Sequence, residues 1–374
     1  MLCRTDPGRA GRGRRAVWWS AALGLVIASP CGAQIIPERA YYGVNQPVPV
    51  LLSCPESGNV PEVRLYEPGA TSPLDSASAA PGRIDLASMF PLLWTTRKPR
   101  VLYAQLHFGD SALGPSLVLQ PMLTPAAALD GFLGSVLRAI EDGRTAELTR
   151  LLNSPDSERE PLRRRTLTTP PSQPVYAGLR VWVDRHVILE TSAGAIEIRM
   201  RPDKAPNTVA HFLSLVEGGY YTGVPFHRVV AADALGRPFI VQAGDPTGLG
   251  GGGPGFHVDF EPSELAHDLG VVSLARKPDD PNSGGGQFFI CLGREACRAL
   301  DGNYAAFGEL VGGGQALKAI TAAPLAPIDP AAPGSPLERP IEPVVINSAR
   351  LAPAPPYGTG PGRITPKDLL PPDR

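Results

Sequence analysis

Residues 223–246 read GVPFHRVVAADALGRPFIVQAGDP, and Arg228 stands there among residues that otherwise suit a buried strand. Strand alternation places Phe226, Arg228 and Val230 on one face, with His227 and Val229 on the other. A guanidinium on an apolar face is costly unless it is paired or the face is an open groove. The same mixture recurs nearby: Ile240 shares a face with Gln242, and Gln287 shares one with Phe289 in GGGQFFICLG. The pattern describes an apolar groove with a few sparse hydrogen-bonding groups, suited to an apolar ligand that carries one peptide group.

Other chemistries fit less well. The loop GLGGGGPGF lacks the Lys-Ser/Thr ending of a phosphate loop, and no strand-loop-helix context surrounds it. Histidines 107, 186, 211, 227, 257 and 267 are scattered. His257, Asp259 and His267 lack a fourth well-spaced ligand, so no metal is expected. Asp245 in AGDPTG reads as a turn former that bonds its own loop. Cys54, Cys291 and Cys297 allow at most one internal disulfide, Cys54 to Cys297 being chemically permitted, and Cys291 reads as a buried thiol. No cofactor is expected.

The elements that must carry the groove are mostly strands. VILET, AIEIRM, FIVQ, GVVSLAR, QFFICLG, AAFGELV and VVINSARL run apolar or alternate, and few helices interrupt them. KAPNTVAHFLSLVEGG predicts a helix with Pro206 in its first turn, a stripe of Val209, Phe212, Leu213 and Val216, and a stop at Gly218. GGGQALKAI predicts another. Without β-α alternation, a closed antiparallel barrel with capping helices is the favoured architecture for residues 178–352.

The chain of 374 residues exceeds the roughly 100 to 200 of one ordinary domain. Residues 34–125 carry a second series of short strands (VPVLL, EVRLYEP, GRIDLA, VLYAQLHF, SLVLQPML), the pattern of a small β-sandwich of immunoglobulin-like size. Residues 126–177 predict two short helices and then a polar Pro- and Arg-rich linker containing Arg163, Arg164 and Arg165. Residues 353–374 are Pro-rich and expected to be disordered. A net charge of −1 gives no global attraction to nucleic acid or anionic membrane.

At the amino end, RAGRGRRAVWWSAALGLVIASPCGAQ has an Arg-rich start, an apolar run from Ala16 to Ala28 and a small-residue site ending at Ala33. That is the layout of an export signal. Its apolar run is shorter than the roughly 20 residues of a membrane span. The expectation is cleavage after Ala33 and a periplasmic or extracytoplasmic mature chain with no membrane span. The twin-arginine pair Arg14-Arg15 and a lipidated Cys31 fit poorly, Pro30 being a poor neighbour for the latter.

PFHRVV, FIVQAGDPTGLGGGGPGF, GVVSLAR, SGGGQFFICLG and LDGNYAAFGELV succeed one another in the order of the motifs of the cyclophilin-type peptidyl-prolyl isomerases, which residues 187–351 resemble. The resemblance implies an eight-stranded antiparallel barrel with two capping helices, and acceleration of X-Pro bond rotation in polypeptide substrates. It assigns the catalytic role to Arg228, flanked by Phe226 and His227. Phe239, Ile240 and Gln242 fall on groove positions, Ala275 on a backbone-contact position with Arg276 beside it, and Gln287 and Phe289 on the family's QFF. Leu300 and Tyr304 complete the proline pocket. A non-catalytic module for proline-containing segments, or a chaperone-like scaffold, is the alternative from another class.

The departures from the family pattern are local. Ala231 to Pro238 replace a tight Pro-Gly turn, Ala299 stands where tryptophan is frequent, Tyr304 where histidine is, and Arg276 where asparagine is. The Ala299 position implies weak cyclosporin binding.

Overall fold

The computed structural model describes residues 34–54, 60–123, 175–332 and 334–370, together with 145, 146 and 149. The expected export signal with Cys31 and nearly all of the helical and Arg-rich linker therefore lie outside the described residues. No described helix is long and apolar enough to cross a membrane.

The first part of the chain is built from β1 (Gln34–Pro37), β2 (Tyr41–Gly43), β3 (Pro49–Ser53), β4 (Glu62–Tyr66), β5 (Asp75–Ser78) and β6 (Gly82–Asp85). Two short helical turns follow, α1 (Leu86–Met89) and α2 (Leu92–Thr95), and then β7 (Leu102–Phe108), β8 (Ser111–Leu123) and β9 (Tyr176–Val183). They form a three-stranded sheet, β1-β3-β6, and a six-stranded sheet, β2-β9-β8-β7-β4-β5. One apolar cluster joins the two, with Ile35, Val50 and Leu52 from the small sheet against Leu65, Leu106, Leu119 and Val181 from the large one.

The second part comprises β10 (Arg185–Thr191), β11 (Gly194–Met200), α3 (Pro206–Glu217), β12 (Val224–Pro225), β13 (Arg228–Ala232), β14 (Pro238–Ala243), β15 (Val271–Leu274) and β16 (Phe288–Cys291). It continues through α4 (Arg294–Cys297), β17 (Ala306–Gly312), α5 (Gly314–Thr321), β18 (Leu325–Pro327), β19 (Leu337–Pro340) and β20 (Val345–Pro353). Nine of these strands make one sheet in the order β12-β20-β10-β11-β17-β15-β16-β14-β13. The ninth arises because the strand expected through PFHRVV breaks at Phe226-His227 into β12 and β13. These pieces sit at opposite ends of the strand order yet are two residues apart in the chain, so the sheet must curl round on itself. Eight spacings of about 4.8 Å would otherwise separate its edges by far more than two residues can span.

Period-two alternation decides what each strand buries. Val229, Val241, Val272, Phe288 and Ile290 point into the main core, where Phe212 of α3 packs its ring against Phe307, Tyr221 and Phe288 at 4.8, 5.1 and 5.5 Å. Leu317 and Ile320 of α5 enter the same core. The expected helices are thus in place, α3 beginning with Pro206 and stopping at Gly218.

Two expectations need correction. GLRVWV does not open the second part of the chain: it lies in β9, which pairs with β8 and β2 while Leu179, Val181 and Val183 join the first apolar cluster. Strand propensity alone names no partner sheet. Nor is the stretch after residue 352 disordered as far as it is described. Tyr357 stacks on Tyr66 at 4.7 Å and leans on Tyr103 at 5.1 Å, and Ile364 is buried in the main core. Composition marked this tail as Pro-rich, but Tyr357 and Ile364 each find a partner.

Candidate active site

The face of the sheet opposite the core carries the site. Register places Arg228 opposite Gln242, Gln242 opposite Phe289, and Phe289 opposite Ser273, one straight row across β13, β14, β16 and β15. Val230, Ile240 and Cys291 form the next row. Two strand spacings, about 10 Å, therefore separate the Arg228 backbone from that of Phe289.

Around Phe289 the second apolar cluster of this sheet gathers Ile240, Val271, Cys291 and Ala306, with Val230, Phe239, Ala275, Leu300 and Tyr304 partly buried against it. Phe289 forms the floor, 3% exposed, with its ring edge-on to Tyr304 at 5.3 Å. Arg276 lies over the other partner's ring, 4.8 Å from the Tyr304 centroid, and donates to the Asn303 carbonyl at 2.9 Å. The Ala275 backbone N–H is taken by the Gln287 carbonyl at 2.9 Å.

Polar groups line the side toward Arg228. Its Nη1 donates to Gln242 Oε1 at 3.3 Å, and Gln242 Nε2 donates to Gln287 Oε1 at 2.8 Å. Gln287 Nε2 in turn donates to the carbonyls of Gly250 and Gly252 at 3.0 and 2.8 Å. That glycine loop is shaped from beneath by Asp245, whose carboxylate accepts from the backbone N–H groups of Thr247 and Gly250 at 2.7 and 2.6 Å. A side-chain carbon at Gly252 would overlap the Asp245 carboxylate, which is why glycine stands there. Asp245 is the buried turn former expected, and these loop N–H bonds hold its pKa low against the effect of burial.

One predicted residue falls elsewhere and a second is largely buried. Phe226 is fully buried in the main core, 6.3 Å from the Phe288 ring, and does not face the groove. Residues 226 and 227 lie outside any strand, so the alternation that would pair Phe226 with Arg228 is lost between them. His227 is also buried, which pushes its pKa down. It lies near Gly250 and lines a pocket together with Arg228 and Gln242. Ala231 to Pro238 extend the β13–β14 hairpin and end in a turn bonded by Asp233, at the end away from Arg228.

Several contributors had no signal in the alternation. His267 is fully buried and stacks on Phe289 at 6.0 Å, bonded through Nε2 to Ser273 Oγ at 2.8 Å and through Nδ1 to Asp301 Oδ1 at 3.1 Å. Burial lowers its pKa, outweighing the opposing pull of Asp301. Asp301 also receives Arg294 at 2.7 Å, and that bond, with those from His267, holds its carboxyl well below the usual range. His257, Asp259 and His267 do not converge: no group of three metal-ligating side chains occurs among the described residues. Cys54, Cys291 and Cys297 are free thiols, so the permitted Cys54–Cys297 bridge is not formed. Glu338 of β19 lies against Arg228, its Oε2 accepting from Nε at 2.6 Å.

One polar row thus lies beside one apolar pocket on this face of the sheet. Residues 186–351 match the family model described as cyclophilin type peptidyl-prolyl cis-trans isomerase/CLD. A peptidyl-prolyl cis-trans isomerase of Synechococcus elongatus is 41% identical over 122 residues, which cover 33% of this chain and 77% of the relative. One from Schizosaccharomyces pombe is 39% identical over 133 residues, 34% of this chain and 79% of the relative. A crystal structure of a Cryptosporidium parvum cyclophilin-type isomerase shares 30% identity, covers 45% of this chain and 98% of its own, and gives a TM-score of 0.38. The chain belongs to the cyclophilin-type peptidyl-prolyl cis-trans isomerase family, and its enzymatic class is that of an X-Pro isomerase.

Proposed function

We propose that Arg228 is the catalytic donor of this isomerase and that X-Pro bonds in exported polypeptides are its substrates. The observation that carries the mechanism is the row Arg228-Gln242-Phe289, which sets a guanidinium beside the pocket formed by Phe239, Phe289, Leu300 and Tyr304. The proline ring sits over Phe289, and its preceding amide lies toward Arg228. The curled nine-stranded sheet is read as the family's closed barrel, with β12 and β13 completing one interrupted eighth strand.

Rotation about the X-Pro bond faces a barrier of roughly 18 to 20 kcal/mol because the nitrogen lone pair is shared with the carbonyl. Twisting returns that pair to nitrogen, where Arg228 can donate a hydrogen bond that the planar ground state does not accept. The donor thus binds the twisted amide better than either planar isomer, and no covalent bond is made or broken. The apolar walls lower the local dielectric and strengthen the contact. Uncatalysed isomerisation takes tens to hundreds of seconds, slow enough to limit folding.

Exchange NMR on X-Pro peptides, with the chain purified after export, tests the proposal. Arg228→Ala should lower kcat/KM by about tenfold or more with the fold intact. Mass measurement of the same material should place the mature end at Gln34. Unaltered turnover in Arg228→Ala would remove the guanidinium from the mechanism. An uncleaved chain retained in the cytoplasm would remove the exported substrates.

A further inference from the structure

Between α5 and β20, β18 and β19 pair as an antiparallel hairpin. Ile341 N–H donates to the Pro324 carbonyl at 2.9 Å at its base, and Ile328 N–H donates to the Pro336 carbonyl at 3.0 Å near its tip. β19 packs against β13, the strand that carries Arg228.

The hairpin's register is irregular at one place. Ala326 pairs with Arg339 and the next residue, Pro327, pairs with Leu337, so Glu338 is an extra residue opposite no partner. A bulge of this kind bends the strand and re-aims the side chain at the extra position. Here it is aimed at Arg228, with the Glu338 side chain 15% exposed and the Arg228 side chain 37% exposed. The contact is a charge-assisted bond of 2.6 Å to Nε, while Gln242 takes Nη1 at 3.3 Å from the other side.

We propose that Glu338 is a positioning residue for the isomerase, fixing the Arg228 guanidinium so that its remaining donor edge faces the prolyl amide. The inference rests on Arg228 being the catalytic donor. An arginine carries about 2 kcal/mol of rotamer freedom. A guanidinium free to swing spends part of its time out of reach of an amide that must be met during the brief twisted state. Gln242 alone fixes one nitrogen. Gln242 and Glu338 together fix the plane of the fork. Ile328 and Arg339 from the same hairpin also wall a pocket of 240 Å³ beside Arg228 and Gln242, so the hairpin adds a boundary to the groove as well as a carboxylate.

The test is a double-mutant cycle in the full chain, read by exchange NMR on a proline tetrapeptide and by the ¹⁵N signal of the Arg228 Nε–H group. Glu338→Ala should lower kcat about tenfold while KM moves little, and the same change in an Arg228→Ala background should remove nothing further. The Nε–H signal should be slow to exchange with water in the wild type and lost or averaged in Glu338→Ala. Glu338→Gln, which keeps an acceptor for Nε without the charge, should recover part of both.

Faster turnover in Glu338→Ala would make the contact a brake and overturn the proposal. An equal loss in the Arg228→Ala background would reduce Glu338 to a structural role. If the wild type does not accelerate isomerisation, the catalytic reading of Arg228 fails, and the Nε–H signal still decides whether Glu338 orders the guanidinium.

Discussion

Arg228 touches Glu338 through Nε and Gln242 through Nη1, so the geometry uses the planar fork of arginine and its charge together. Lysine keeps the charge and loses the fork. Arg228→Lys should therefore behave like Arg228→Ala in kcat/KM, while melting as the wild type does within a few degrees; recovery of most of the activity by lysine would show that charge alone suffices. At this scale the sequence was readable wherever strand parity held. Arg228, Ile240, Gln242 and Phe289 were placed on one face by counting in twos, and they are there. Phe226 was misplaced by the same rule, because it and His227 both lie outside any strand. Glu338 was invisible to it. A bulge breaks parity, and 110 positions separate it from the arginine it meets.

Leu300 illustrates how an element, rather than a residue, holds the pocket. It ends the short turn after α4, and Asp301 beside it ties that turn to α4 through Arg294 and to the segment before β15 through His267. The folded pKa of Asp301 is depressed, so its contribution to stability is present above the unfolded value, about 3.9, and is lost as pH falls through the lower folded value. His267 acts in the same direction, since burial disfavours its protonation below about pH 6.5. Thermal melts of Asp301→Asn should thus lie below the wild type at neutral pH and converge with it on acidification. Parallel curves down to acid would show that the ion pair with Arg294 contributes nothing. Here β15 was legible in GVVSLAR, while α4, one turn long, is too short to show a helical period. Their tie was not legible either, because HDLG and LDGN are short polar stretches whose pairing depends on how β15 and α4 are brought together.

The first part of the chain and the isomerase sheet are joined by a single residue between β9 and β10, Asp184. Its N–H donates to the Ser116 carbonyl at 2.8 Å, and its own carbonyl accepts from Ala354 N–H at 3.2 Å, so strands from both regions and the tail meet there. Burial pushes its carboxyl up to about 7. A raised folded pKa means that the native state holds the proton longer than the unfolded chain does. The associated stability is fully present below about pH 3.9 and is lost as pH rises through about 7. Asp184→Asn should accordingly melt higher than the wild type above neutrality, with the gap closing below it. A gap that is the same at pH 5 and pH 8 would place the titration elsewhere. The existence of a β-rich first part was plain in its alternating strands. Its border was not, because β9 carries the same kind of pattern on either side of the joint and only its partners, β8 and β2, reveal where it belongs.

The tail returns to the beginning of the fold: β20 pairs with β10, and Tyr357 is clasped by Tyr66 and Tyr103 while donating to the Glu67 carbonyl at 2.6 Å. A chain made from its amino end therefore emerges with β10 lacking one neighbour and the Tyr66–Tyr103 cleft vacant until residues 345–357 arrive. Any copy that stalls before residue 345 therefore carries β10 as an open sheet edge although residues 228–304 of the candidate site are already made.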